Sequence, residues 1–167
     1  MRYLLLSSLL LLAACGQAPQ TTRSSEASPP SEATTTPSAE EMQERIAALP
    51  APYNQANYED GRRVFAQCRS CHTTAEGAGN RVGPNLHGVI GRRIGTAEGF
   101  TYSQPVQQQT FTWDAEHLDH WIENPQAYIP GTRMAFAGVR DANQRRDVIA
   151  YLMVETADHD DSHHDDD

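Results

Sequence analysis

A chain of 167 residues has room for one compact domain plus extensions, and its formal charge of -9 is spread unevenly along it. Residues 53–154 hold ten Arg and ten acidic residues, while the flanking stretches are acidic. Nothing therefore supplies the basic face that nucleic-acid binding requires, and no nucleic-acid partner is expected.

The chain opens with Met1-Arg2 followed by an apolar run from Tyr3 to Leu12. That run is shorter than the roughly 20 residues a spanning helix needs, and it reads as a secretory signal over residues 1–14. It ends in Leu12-Ala13-Ala14-Cys15, which resembles the lipobox of bacterial lipoproteins. The resemblance implies that Cys15 becomes the first mature residue and carries the lipid; the alternative is a cleaved signal with an incidental Cys. Two or three acyl chains make anchoring stable where one is marginal.

Residues 15–52 follow as a disordered tether rich in Pro, Ser, Thr and Glu, with few large apolar side chains before Met42, Ile46 and Leu49. A short helix around Ala39 to Leu49 is compatible with the pattern, but the segment reads as linker. Its 37 residues from Gly16 onward, as a flexible chain, would span about 35 Å. At the other end, residues 155–167 form an acidic tail with His159, His163 and His164, expected to be disordered and chemically able to bind copper, nickel or zinc.

Between the flanks, residues 53–154 read as one folded domain. Gly61, Val64, Phe65 and Cys68 recur at helical spacing, placing a helix near Glu59 to Gln67. Leu118, Trp121 and Ile122 share a face of a second helix, Asp114 to Asn124, which Pro125 ends. Asp141 with Gln144 resembles a capping box and opens a third helix with Val148, Ile149, Tyr151 and Leu152 as its apolar stripe. The stretch from Thr73 to Thr112 is rich in Gly and shows little periodicity. So long an irregular segment needs something other than its own side chains to supply a core.

Cys68-Arg69-Ser70-Cys71-His72 has the spacing of c-type haem attachment. Two thiols on one turn can each form a thioether with a haem vinyl group, and the adjacent His is placed to bind the iron. A redox dithiol, a structural disulfide and half of a zinc site are the competing readings; zinc needs further ligands, and a disulfide has no use for the His.

The run Val82-Gly83-Pro84-Asn85-Leu86-His87-Gly88, then Gly99-Phe100-Thr101-Tyr102-Ser103, Trp113 and Glu123-Asn124-Pro125 through Ile129-Pro130-Gly131-Thr132-Arg133-Met134 resembles class I cytochrome c. The resemblance covers residues 57–154 and implies an all-α fold of helices and long loops around one covalent haem c. It implies His72 and Met134 as the axial iron ligands and a Pro84 carbonyl that orients His72. It also implies Arg92, Tyr102 and Trp113 around the haem propionates, with Thr132 beside the ligand loop. Met42 and Met153 are weaker candidates than Met134, as are His87, His117 and His120. Trp121 stands where mitochondrial members carry a Tyr.

An iron with both axial positions filled has none left for oxygen, peroxide or substrate, so the expectation is an electron carrier and not an enzyme. The resemblance implies a monomer that takes electrons from a quinol-oxidising complex and gives them to a terminal oxidase. With the lipid anchor, it would work on the periplasmic side of a bacterial membrane, inner or outer. The competing functions are a haem peroxidase or gas sensor, opened by loss of Met134, and a metal-binding lipoprotein acting through the tail.

Overall fold

The computed structural model describes residues 37–157. Cys15, the stretch 1–14 read as a signal and the His-containing tail from Asp158 onward lie outside the described residues.

The first helix, α1 (Ala39–Ala47), begins at a complete capping box. Ser38 Oγ accepts from the Glu41 N–H at 3.2 Å while Glu41 Oε2 accepts from the Ser38 N–H at 2.5 Å. Met42 and Ile46, four residues apart, fall on one face and are 3% and 0% exposed. Gln43 then ties α1 to the chain beyond it: its Nε2 donates to the Ala56 carbonyl and its Oε1 accepts from the Tyr58 N–H. A 3-10 turn at Tyr53–Gln55 completes this region.

These residues correct the boundary of the tether. Residues 38–52 belong with the folded domain, because Met42 and Ile46 lie in the main apolar core and the helix that carries them begins with its own cap. The far boundary moves too. Thr156 is buried, and its carbonyl accepts from the Gly88 N–H at 2.7 Å, so the last helix and its cap exceed residue 154. Residues 38–156 carry eleven Arg and fourteen acidic residues, so the folded part is mildly acidic before its cofactor is counted.

Helix α2 (Tyr58–Phe65) is capped by Asn57, and α6 (Ala142–Glu155) by Asp141, whose carboxylate accepts from the Gln144 N–H. The two helices pack closely. Gly61 permits this, since a Cβ there would press on the Asp147 carbonyl oxygen and lie 2.7 Å from the Tyr151 Cβ. Phe65 packs on Tyr151 with ring centroids 5.1 Å apart, and Val148 is buried beside them. Between α2 and α6 come α3 (Gln104–Gln107), α4 (Ala115–Glu123) and α5 (Pro125–Tyr128). Leu118 and Ile122 join α4 to the main core, as their spacing anticipates.

A second, smaller apolar cluster is built from Ile94, Val106 and Ile129, with Tyr102, Phe111, Trp113, Trp121 and Tyr128 around it. Trp113 and Trp121 border both clusters, with ring centroids 5.6 Å apart. Among the described residues there is no strand; a single antiparallel bridge pairs Arg93 with Thr112.

Candidate haem site

Residues 66–72 continue from α2 as irregular turns. The N–H groups of both Cys71 and His72 donate to the Cys68 carbonyl at 3.0 Å, which brings the two thiols and the imidazole onto one turn. Cys68 and Cys71 are not joined in a disulfide, and both are part-buried. Burial, followed by the neighbouring Cys71, pushes the Cys68 thiol up to about 11.

His72 Nδ1 lies 2.8 Å from the Pro84 carbonyl oxygen. A carbonyl can only accept, so Nδ1 carries the proton and Nε2 keeps its lone pair. Burial lowers the pKa of His72, with the bond to Pro84 opposing it. Gly83 makes this arrangement possible: a Cβ there would sit 2.7 Å from Nδ1 and 2.8 Å from Nε2 of the ring. The Gly83 N–H donates to the Cys71 carbonyl at 2.8 Å, which holds the Gly83-Pro84 loop against the attachment turn.

The loop beyond Pro84 is held by side chains that bond to backbone carbonyls. Asn85 Nδ2 donates to Ala75 and Ala78, and Asn80 Nδ2 donates to Glu98. Arg92 is half-buried and donates to the carbonyls of His87 at 3.1 Å and Asn85 at 2.9 Å, and burial lowers its pKa. Tyr102 accepts the Ala97 N–H at its hydroxyl at 3.3 Å; burial raises its pKa, while that bond and Arg92 oppose the rise.

The segment carrying Met134 leaves α5 at Ile129. Thr132 is buried, and its Oγ1 accepts from the Met134 N–H at 3.4 Å. Arg133 reaches the Thr101 carbonyl, joining this segment to the Tyr102 loop. Its far end is pinned to α4, where the Val139 N–H donates to the Ile122 carbonyl and Gly138, at φ 90°, leaves no space for a Cβ above the Glu123 carbonyl. Arg145 locks the same corner, bonding Asp119 at 2.8 Å and the carbonyls of Val139 and Arg140.

The rival ligands have other occupations. Met42 is core, not linker, and Met153 packs against the same helical cluster. His117 pairs with Asp114 at 2.7 Å and stacks on Phe111, while His120 stacks on Tyr128. His87 is part-buried, and its N–H donates to Asn85 Oδ1.

One residue escaped the sequence reading. Among the described residues, Ser103 Oγ is the buried side-chain polar atom that lacks a hydrogen-bond partner. A buried hydroxyl without a partner costs about 1–3 kcal/mol. Its place directly after Tyr102 suits a cofactor oxygen, and adjacency to Tyr102 was the one signal the sequence offered. Two cysteines free of a disulfide, an imidazole whose Nδ1 is held by Pro84 and an orphaned hydroxyl together fit a covalently held haem.

Comparison with known proteins agrees with this chemistry. The family model described as Cytochrome c matches residues 58–154. A cytochrome c2 of Blastochloris viridis is 44% identical over 113 residues, covering 68% of this chain and 89% of that protein. A cytochrome c of Kluyveromyces lactis is 40% identical over 106 residues, covering 63% of this chain and 96% of the relative. Among solved structures, cytochrome cH from Methylobacterium extorquens superposes with a TM-score of 0.54 at 37% identity, covering 57% of this chain and 96% of its own. Helix α1 and the 3-10 turn lie before the matched residues.

Proposed function

We propose, from the premise that this chain belongs to the cytochrome c family, that it is a membrane-tethered periplasmic carrier moving single electrons between respiratory complexes. The chain is an all-α class I cytochrome c with one covalently attached haem c, an electron-transfer protein that works with redox partners.

The bound haem supplies an Fe(II)/Fe(III) couple. The chain's own groups decide what that couple can do. Cys68 and Cys71 would provide the thiols for the two thioethers, and His72 would bind the iron from the same turn. Its proton is kept on Nδ1 by the Pro84 carbonyl, a bond that sets ring orientation and basicity. Met134 would supply the second protein ligand, on a segment tied down at both ends. A haem iron held by both His72 and Met134 would have no position left for a small molecule, which supports a carrier and not an enzyme. Arg92, Tyr102, Trp113 and Ser103 would receive the propionates, and Thr132 supports the ligand turn. The observation that carries this reading is His72, oriented by the Pro84 carbonyl at 2.8 Å, on one turn with two cysteines free of a disulfide.

A quinol-oxidising complex is the expected donor and a terminal oxidase the expected acceptor. Lipidation at Cys15 would hold the carrier at the membrane. With the domain beginning at Ser38, 22 residues from Gly16 to Pro37 remain as tether, about 26 Å as a flexible chain. This is shorter than a boundary at residue 53 would allow, and it confines the domain closer to its partners.

The test combines a spectrum with fractionation. Denatured protein should retain haem on the polypeptide, and the oxidised form should show the weak near-infrared sulfur-to-iron band. Reduced protein that binds carbon monoxide rapidly would show an open site and end the carrier reading. Cys15→Ser protein that stays with the membrane fraction would end the lipid-anchor reading.

A further inference from the structure

Gln126 lies in the first turn of α5, eight residues before Met134. Its carboxamide Nε2 bears two hydrogens, and they go to two carbonyls: Thr132 at 2.9 Å and Met134 at 3.2 Å. The two acceptors flank Arg133, whose guanidinium reaches the Thr101 carbonyl across the loop. The turn at Met134 is thus gripped from α5 on one side and from the Tyr102 loop on the other. Thr132 and Met134 also close on each other through the Thr132 hydroxyl.

We infer that Gln126 is a positioning residue for the distal ligand: its amide clamps the backbone on both sides of Arg133 and sets how readily the Met134 side chain leaves the iron. The inference rests on Met134 being that ligand. It follows from where mobility must arise. A thioether is a weak, neutral ligand, so its retention depends on how the backbone beneath it is held. The Thr132-to-Met134 stretch has no helix or strand to hold it. The single turn of α5 lends its side chain as an external brace, at the cost of ordering one Gln. An apolar residue of similar size would take this donor from the Thr132 carbonyl and leave the Met134 carbonyl with the Phe136 N–H at 3.1 Å, a bond within the segment itself that does not tie it to α5. A carboxylate at the same place would repel both carbonyls.

The experiment uses the ferric holoprotein and inorganic-free buffer with imidazole as competing ligand, following both binding rate and the sulfur-to-iron band. Gln126→Leu and Gln126→Glu should each admit imidazole about tenfold faster, as loss of two ordinary hydrogen bonds implies, with Gln126→Glu the faster. The control is Gln109→Leu, which removes another side-chain amide bond, from Gln109 Nε2 to the Pro105 carbonyl at 3.1 Å, and should stay near wild type. Rates within twofold of wild type for both Gln126 variants, with the band intact, would overturn the clamp and leave Met134 as ligand. Equal acceleration by Gln109→Leu would also overturn it, since general softening would then account for the effect. A wild-type protein without the band, or one that binds imidazole as fast as Met134→Ala, would overturn the Met134 assignment and the clamp with it.

Discussion

The helical half of the molecule and its loop half are held together in different ways. Helices α1, α2, α4 and α6 share one apolar core in which Ile46, Phe65, Val148 and Ile149 are almost completely buried. In the stretches from Thr73 to Thr112 and from Ile129 to Arg140, Ile94, Val106 and Ile129 form a small cluster of their own, Val89 and Ala97 are buried apart from it, and Val139 belongs to the helical core. These stretches compensate with side chains that bond to backbone carbonyls: Asn80, Asn85, Arg92, Gln126 and Arg133. Packed side chains stabilise by burial and need no third party. Irregular backbone needs something to wrap, and here that is the haem.

Removing the cofactor should separate the halves most sharply. Cys68→Ala with Cys71→Ala should prevent covalent haem retention, and the loop half should lose most of its amide-exchange protection while α2 and α6 keep part of theirs. Equal loss of protection in both halves would show that the helical core has no independent stability.

Ile46→Ala probes whether α1 belongs to the helical half. Large-to-small changes at buried sites cost about 2–5 kcal/mol, so denaturant unfolding should shift by about that much while the visible spectrum stays unchanged. A change of less than about 0.5 kcal/mol, the range of surface substitutions, would return α1 to the tether.

Alkali should strike the helical half through its tyrosines. Burial, then Glu155, raises the pKa of Tyr58 well above its ordinary value, and burial pushes Tyr151 up to about 12. The native state therefore keeps protons that the unfolded chain gives up above pH 10. Stability present below pH 10 should fall as the pH climbs toward 12. Tyr151→Phe should flatten that slope in pH-dependent unfolding, and an unchanged slope would mean that other groups govern the alkaline limit.

The smallest effect is expected from deleting residues 158–167. Following Thr156 in the sequence, this acidic stretch should leave the melting temperature and midpoint potential close to wild type on deletion, altering mainly the salt dependence of electron transfer. A large shift in potential would show that the acidic tail acts on the haem itself.

The sequence alone determined the attachment motif and the helices α2, α4 and α6. Cys68, Cys71 and His72 are neighbours on the chain, so their meeting needs no folding information, and the caps and apolar spacing of α2, α4 and α6 are local. The Pro84 contact with His72 was legible only through family resemblance, because the two residues are joined by a loop with no period to read. Three things only the tertiary structure decided. Met42 and Ile46 look incidental in a polar stretch and become core because α2 and α6 offer a surface for them. Ser103 looks like any loop serine until burial removes its water. Gln126 gains its role only when a turn eight residues away folds back over α5. In each case the signal is a single residue whose meaning depends on a distant partner, and pattern along the chain cannot carry that information.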